Sequence, residues 1–399
     1  MLGRTGLTAV AAMLAIAGTA TAADAPGVTA TEIKIGNIMP YSGPASAYGV
    51  IGKGETAFWN MVNEQGGVAG HKINFITVDD GYNPAKAVEQ ARKLVEQDQV
   101  AFLFNPLGTP SNTAIQKYLN QAKVPQLFVA TGADKWGNYK DFPWTIGWQP
   151  SYRIEAAIYA KYLLKNKPDA KLGILYQNDD FGKDYIAGMK QGLGDKYDKM
   201  IVKEVSYETS DPTVDTQIVT LQGAGVDTLL TAATPKFAAQ AIRKVYDIGW
   251  KPLHLLTNVS TSVAAVLTPA GPEKAIGIVS AAYGKDPTDP TWKDDAGLNQ
   301  WRAFMKKYMP DADMADANYV YAYGVSLTML QVLKQCNGDF SRENVMKQAS
   351  NLKNVELPTG LPGIEINTSP TNYHPISQMQ LQKWDGKTWV LFGDIISGT

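Results

Sequence analysis

The sequence has almost none of the residues from which redox, metal and nucleophilic sites are usually built. Cysteine occurs once, at Cys336, so no disulfide framework is possible and this residue is expected to be a small buried hydrophobe. The histidines His71, His254 and His374 are scattered and form no HExxH or Cys/His cluster, so we expect no metal site. The GxSxG, Walker and GxGxxG motifs are also missing, which argues against serine-hydrolase and nucleotide-binding functions and against a bound cofactor.

The chain also lacks an excess of charge of either sign, because it has 37 Lys and Arg and 38 Asp and Glu. This balance argues against a nucleic-acid or anionic-membrane partner. No apolar run approaches the roughly 20 residues of a membrane-spanning helix, so we expect no membrane insertion. Aromatic residues are abundant, with 9 Trp and 19 Tyr, and several fall in predicted loops, where they are expected to line a site.

Residues 1–22 have the pattern of a cleavable secretory signal. Arg4 supplies an early charge, residues 7–17 are apolar, and Ala20-Thr21-Ala22 before Ala23 forms an A-x-A cleavage site. We therefore expect cleavage near Ala22/Ala23. A large exported chain that lacks disulfides is typical of a periplasmic protein, and we expect that location.

From residue 33 onward, short apolar runs alternate with helical patterns, which predicts parallel sheets covered by helices on both faces. Strands are predicted at 33–39, 72–79, 101–105 and 126–129, and a second series at 172–177, 201–207, 228–234, 253–257 and 276–282. Helices are predicted between them at 46–65, 84–98, 111–122, 182–193, 214–223, 235–248 and 261–267. The chain ends in helices 293–308, 315–335 and 342–351 and a hairpin of 377–384 and 389–392.

This pattern predicts an α/β fold of two doubly wound α/β lobes. Three helices and a hairpin do not make a further domain, so we expect them to return to the two lobes, with three crossings of the chain. The predicted boundaries are 27–146 plus 281–355 for the first lobe, and 147–280 plus 356–399 for the second.

Two neighbouring predicted strands end in loops of hydroxyl groups and glycine. Where such a loop runs into a helix, the free N–H groups of the first turn favour an anion, so this crevice is predicted to hold a carboxylate. Either hydroxyl could instead serve simply to begin a helix. The residues assigned to the crevice are Gly108, Thr109, Ala130, Thr131, Gly132 and Ala133.

Aromatic side chains are predicted on both walls of the same cleft. Tyr48 follows the first strand of one lobe, and Phe181 follows the first strand of the other. Trp136, Trp148 and Tyr152 fall near the connection between the two series of strands and are further candidates.

The motifs SGPASAYG, LGTPSNTA, PxxxxATGA and Asp180-Phe181-Gly182 occur in this order, and together they resemble the periplasmic solute-binding proteins of branched-chain amino acid ABC transporters. The similarity spans nearly the whole chain after the leader. It implies a type I periplasmic binding fold with a three-strand hinge that closes on one ligand. It also implies a carboxylate anchor at Thr109, an aromatic contact at Tyr48, and second-lobe contacts at Phe181 and at Ala233 or Thr234.

The segment from Thr257 to Ser260 departs from the family pattern. Members that bind amino acids place an acidic side chain here to pair with the ligand ammonium, whereas this chain has Asn258. Burying an unpaired ammonium is costly, so an aromatic acid of the benzoate or phenylpropenoate type is the expected ligand, with short aliphatic acids second. Asp180 could still supply a charge, which keeps branched-chain or other amino acids open.

The predicted function is therefore capture of a small carboxylate and its delivery to an ABC permease, by a monomer that is not an enzyme. A ligand sensor for a membrane receptor would use the same fold and remains an alternative. An exported carboxylate-based hydrolase is a remote alternative, because such enzymes also lack short motifs.

Overall fold

The computed structural model describes residues 25–398, and the predicted leader, residues 1–22, lies outside this range. The first half of the chain forms five strands: β1 (Glu32–Met39), β2 (Lys72–Asp79), β3 (Phe102–Phe104), β4 (Gln126–Val129) and β5 (Thr145–Gly147). They pair in parallel in the order β2-β1-β3-β4-β5. The helices between them are α1 (Gly49–Glu64), α2 (Pro84–Arg92) and α3 (Thr109–Gln121).

The second series contributes five further parallel strands, which are β6 (Leu172–Gln177), β7 (Ile201–Tyr207), β8 (Thr228–Ala232), β9 (Leu253–Leu256) and β10 (Val279–Ala282). Its helices are α4 (Tyr152–Asn166), α5 (Asp180–Leu193), α6 (Tyr197–Met200), α7 (Asp215–Gly223), α8 (Pro235–Asp247) and α9 (Thr268–Ala270).

The rest of the chain forms three helices, a short strand pair and a terminal hairpin. The helices are α10 (Ala296–Tyr308), α11 (Ala317–Gln335) and α12 (Arg342–Ala349), and the strands are β11 (Val355–Glu356), β12 (Glu365–Ile366), β13 (Gln378–Trp384) and β14 (Trp389–Ser397). The hairpin adds to the second sheet, whose order is β14-β13-β10-β9-β8-β6-β7. Residues 385–387 make its turn, where Gly386 has φ 104°, and the predicted hairpin is confirmed.

Each sheet is buried between helices on both faces. Helices α1, α10, α11 and α12 share one hydrophobic core with the first sheet, while α2 and α3 cover its other face. The second sheet has α4 and α5 on one face and α7 and α8 on the other. We call these units lobe one and lobe two, and the predicted two-lobed α/β architecture is confirmed.

The chain crosses between the lobes three times, after β5, after β10 and before β13. The second crossing pairs with residues 359–361: the Lys285 N–H donates to the Thr359 carbonyl at 2.9 Å, and the Leu361 N–H donates to the Tyr283 carbonyl at 3.0 Å. This pairing forms a hinge beside the cleft between the lobes.

Several details differ from the sequence prediction. The short strands β5, β11 and β12 were not predicted, because two or three residues carry no readable alternation. Helix α1 begins at Gly49 after a separate 3₁₀ turn, Ser46–Tyr48. Side chains between Leu361 and Ile376 belong to the lobe-one core, which therefore extends beyond the predicted boundary at residue 355. The exact division into lobes stays a prediction.

Candidate functional site

A cavity lies between the lobes, at the carboxyl ends of strands from both sheets and beside the hinge. Lobe one contributes the loops after β1, β2, β3 and β4, and lobe two contributes those after β6, β8 and β9. This convergence follows from the parallel sheets, in which all such ends point to one edge. The predicted residues in its walls are Tyr48, Gly108, Thr109, Ala130, Thr131, Trp148, Tyr152, Phe181, Thr234 and Asn258. Their contact with a ligand stays a prediction.

The hydroxyl groups of Thr109 and Thr131 meet in the lobe-one wall. Their Oγ1 atoms are 2.5 Å apart, and each residue is 2% exposed. Thr109 begins α3, whose first hydrogen bond runs from the Asn112 N–H to the Gly108 carbonyl, so the Thr109 N–H precedes the helical ladder. A Cβ on Gly108, at φ 101°, would lie 2.6 Å from the Tyr82 ring. Glycine here therefore lets the helix start approach the cleft, and the wall offers donors to an anion.

Two of the hydrogen bonds that join the lobes across the cleft involve tyrosine hydroxyls. The Tyr48 hydroxyl donates to the Val259 carbonyl at 2.9 Å, and Gln177 Nε2 donates to the Tyr82 hydroxyl at 3.3 Å. Burial raises the pKa of Tyr48 well above its usual value, so this phenol stays a donor at neutral pH. Tyr82 was missed from the sequence, although its place just after β2 is the same strand-end signal that identified Tyr48.

Aromatic rings cover the lobe-two side. Phe181 lies 4.8 Å from Tyr152 and 5.7 Å from Tyr185 between ring centroids, and Tyr152 stacks on Tyr185 at 5.3 Å. Phe181 is held at the start of α5, where Asp179 caps the helix by accepting from the Phe181 N–H at 2.9 Å. The cleft therefore has an aromatic surface on its lobe-two side.

Glu155 was not identified from the sequence, yet its carboxylate lies directly behind Asn258. Its Oε1 accepts from the Tyr159 hydroxyl at 2.6 Å and from the Asn258 N–H at 2.8 Å. Its Oε2 accepts from the Tyr185 hydroxyl at 2.7 Å and from Asn258 Nδ2. Burial raises the pKa of Glu155 to about 7, against four hydrogen bonds that lower it. Within helix α4 this glutamate has no sequence signal that separates it from a surface charge.

A second group of rings, which we call the hinge aromatics, consists of Trp148, Tyr283 and Tyr321. Trp148 lies 5.1 Å from Tyr321 and 5.9 Å from Tyr283 between ring centroids, and its Nε1 donates to Thr328 Oγ1 at 3.0 Å. All three rings line the cavity. Tyr283 was missed although it directly follows β10, the same strand-end signal that identified Phe181, and Tyr321 was missed because it lies inside a long helix.

Five predicted residues lie outside the cavity walls: Gly132, Ala133, Trp136, Asp180 and Ala233. Trp136 is buried behind the hydroxyl pair, where its Nε1 donates to Thr131 Oγ1 at 3.3 Å. The Asp180 side chain is 49% exposed and pairs with Lys135 Nζ at 3.2 Å on the outer rim. The Asp180 carboxylate is therefore already paired outside the cavity walls, and its role as a charge partner for a ligand stays a prediction.

No group of three or more His, Cys, Asp or Glu side chains within residues 25–398 could hold a metal ion. His254 is buried against Thr231 Oγ1 at 2.9 Å, and burial lowers its pKa to about 4. Cys336 is buried as predicted. Over the same described range, the helices are all too short or too polar to cross a membrane.

Comparison with known sequences gives one matching family. The model of that family, described as periplasmic binding protein, matches residues 32–388. The Leu/Ile/Val-binding protein homolog 7 of Brucella suis biovar 1 (strain 1330) is 24% identical, over 96% of this chain and 95% of its own length. A protein of Pseudomonas aeruginosa named amino acid binding protein is 22% identical over 64% of this chain and 68% of its own.

Solved structures agree in fold. A branched chain amino acid ABC transporter protein from Thermus thermophilus with bound valine has a TM-score of 0.82 at 15% identity, covering 92% of this chain and 97% of that one. A fatty acid ABC transporter substrate-binding protein from Thermomonospora curvata has a TM-score of 0.77 at 22% identity, covering 94% of each chain. At these identities the likeness establishes the type I periplasmic binding fold.

Proposed function

Because this chain belongs to the periplasmic binding protein family, we propose that it captures a carboxylate-bearing ligand in the inter-lobe cleft and delivers it to an ABC permease. The ligand class that fits the cleft best is an aromatic acid of the benzoate or phenylpropenoate type. The proposed role is binding and transport rather than catalysis, carried out by a monomer in the periplasm after removal of the leader.

The observation that carries this proposal is the Thr109–Thr131 pair at the start of α3. One hydroxyl of the buried pair donates to the other, so the remaining hydroxyl proton and the N–H groups of the helix's first turn are the hydrogen-bond donors that suit a carboxylate. Among the described residues that line the cavity, Lys285 is the only cation, and its Nζ bonds both oxygens of Asp295 at 2.9 Å. We therefore expect uncharged hydroxyl and backbone N–H groups to bind the carboxylate.

The rest of the wall supports an apolar or aromatic ligand body. Tyr48, Tyr152 and Phe181 face the cavity, and apolar contact with such rings is the main source of affinity in small-molecule sites. Among the described lining residues, Asp286 is the only acid, and its Oδ1 accepts from the Thr288 N–H at 2.8 Å. Asp286 is thus the one carboxylate that the described lining residues offer to an ammonium group.

A second candidate is an amino acid, and Glu155 is the observation that favours it. The Glu155 carboxylate is bonded to Asn258, which lines the cavity, so a negative charge lies one residue behind the wall. A ligand ammonium at Asn258 would stabilise the ionised form of Glu155 through this contact. Several relatives carry names that refer to leucine, isoleucine and valine.

A thermal-shift screen of the ligand-stripped protein tests the proposal against amino acids, aromatic acids, short aliphatic acids and their amides. A ligand at a hundredfold excess over Kd stabilises the folded state by about 2.7 kcal/mol. We expect stabilisation by aromatic acids and none by the matching amides, because the amides lack the carboxylate. Stabilisation confined to leucine, isoleucine or valine would overturn the aromatic-acid proposal and favour the amino-acid candidate.

A further inference from the structure

The cavity does not end at the hinge aromatics. Beyond Trp148, Tyr283 and Tyr321 its walls continue into a group of aliphatic side chains that we call the hinge compartment, formed by Leu357, Ile364, Ile366 and Ile376. These residues lie between 357 and 376, in the segment that precedes the third crossing, and three of them are at most 6% exposed. The same cavity is therefore lined by the hydroxyl pair in one part and by aliphatic side chains in another.

The contact between the two parts is close. A methyl group placed on Gly324 of α11 would lie 3.6 Å from both Trp148 Cη2 and Leu357 Cδ1, and 3.1 Å from Thr359 Oγ1. Trp148 and Leu357 thus both lie beside Gly324, where glycine adds no side chain of its own. The hinge compartment begins where the aromatic part of the cavity ends.

We propose that the hinge compartment is a subsite for an apolar tail, so that the ligand is an elongated carboxylate, an aromatic acid that carries an alkyl substituent away from its carboxylate. This inference rests on the proposed function, since it takes the Thr109–Thr131 pair as the carboxylate end. From that end the ring occupies the space between Tyr48 and Phe181, and the tail passes Trp148.

The chemistry of the compartment suits a tail without charge. The nearest cation, Lys285, is held by Asp295 and also donates to the Pro358 carbonyl at 2.8 Å. Aliphatic walls gain affinity with every methylene they take from water, at roughly fourfold in Kd for each fully buried group. A polar tail would lose its hydration against these aliphatic walls.

Calorimetric titration with benzoate, 4-ethylbenzoate, 4-butylbenzoate and 4-hexylbenzoate tests the subsite. We expect Kd to fall with each added methylene up to the limit of the compartment, at one ligand per chain. Leu357→Trp fills the compartment from its partly exposed edge and is expected to abolish the gain from the butyl group, with benzoate affinity changed less than about threefold. The control is Leu327→Trp, a residue of the same type and similar exposure on α11 that does not line the cavity.

The outcomes separate the two proposals. A wild-type Kd that stays flat or rises from benzoate to 4-butylbenzoate overturns the tail subsite, but it does not contradict carboxylate binding at the Thr109–Thr131 pair. This outcome is measured on the wild-type protein, so it does not depend on the folding of the variant. Equal weakening of benzoate and 4-butylbenzoate by Leu357→Trp also counts against the subsite. If no benzoate binds the wild-type protein while an amino acid does, the proposed function itself fails.

Discussion

Replacing Glu155 by glutamine is expected to remove a pH dependence of stability that the wild-type protein carries. Burial raises the pKa of Glu155 to about 7 in the folded chain, from a value of 4.5 when it is exposed. Between these two values the folded state holds a proton that the unfolded state has released. The free energy of unfolding therefore falls as the pH rises through this window. The contribution of Glu155 to that free energy is at its largest below about pH 4.5.

The magnitude follows from the size of the shift. A difference of one pKa unit corresponds to about 1.4 kcal/mol, so the shift of Glu155 corresponds to about 3 kcal/mol across the window. Four donors, from Tyr159, Tyr185 and Asn258, already reduce the cost of the buried charge. Glutamine changes these hydrogen bonds, but it does so equally at every pH, so the slope rather than the absolute stability reports the titration.

Urea unfolding of the ligand-free protein, measured at intervals from pH 4.5 to pH 8, provides the assay. The difference in unfolding free energy between the wild type and Glu155→Gln should change by about 3 kcal/mol over this range. The control Glu89→Gln removes an exposed carboxylate from α2 and should give a much flatter difference. Parallel pH profiles for the wild type and Glu155→Gln would refute the reasoning, because they would mean that Glu155 titrates alike in the folded and unfolded chain.

Two further variants test the cleft itself by calorimetric titration with an aromatic acid. Thr109→Val keeps the shape but removes a donor to the carboxylate, and Kd should rise roughly ten- to hundredfold, as is usual for a hydrogen bond to a charged group. The control Thr113→Val, on the exposed face of the same helix, should leave Kd unchanged. Equal effects of the two variants would contradict a carboxylate contact at Thr109. Tyr48→Phe removes the hydrogen bond to the Val259 carbonyl across the lobes and should raise Kd about two- to tenfold. The surface variant Tyr246→Phe should not, and an unchanged Kd for Tyr48→Phe would show that this bond does not favour closure.

Much of the fold was predictable because it depends on local patterns. Apolar periodicity located the long strands and helices, and the rule that parallel strands end at one edge brought Tyr48, Thr109 and Thr131 to one cleft. The hinge side was not predictable in this way. Tyr321 lies within a helix of 19 residues and reaches the cavity only because α11 packs beside the crossings.

Trp136 is the converse case, a residue that the sequence indicated as a possible ligand contact and that lies outside the cavity walls. Its place just after the hydroxyl loop suggested a ligand contact, but the residue is buried and donates to Thr131 from behind the wall. Sequence proximity to a binding loop does not distinguish the two sides of that loop. The side is decided by the packing of lobe two against the loop, and Trp136 shares its core with Tyr152 and Ala133.

The loop after β9 shows why a missing acid in one segment is weak evidence about charge in a site. No acid occurs from Thr257 to Ser260, and on that ground the sequence argued against an ammonium-bearing ligand. The fold nevertheless brings Glu155 to Asn258 across a separation of 103 residues, because α4 packs against the second sheet beside β9. The Asn258 N–H and Nδ2 both donate to this carboxylate, so the charge is already bonded behind the wall. What the cavity meets at this point is a neutral carboxamide with a carboxylate behind it, and the proposed uncharged ligand body would contact the carboxamide alone.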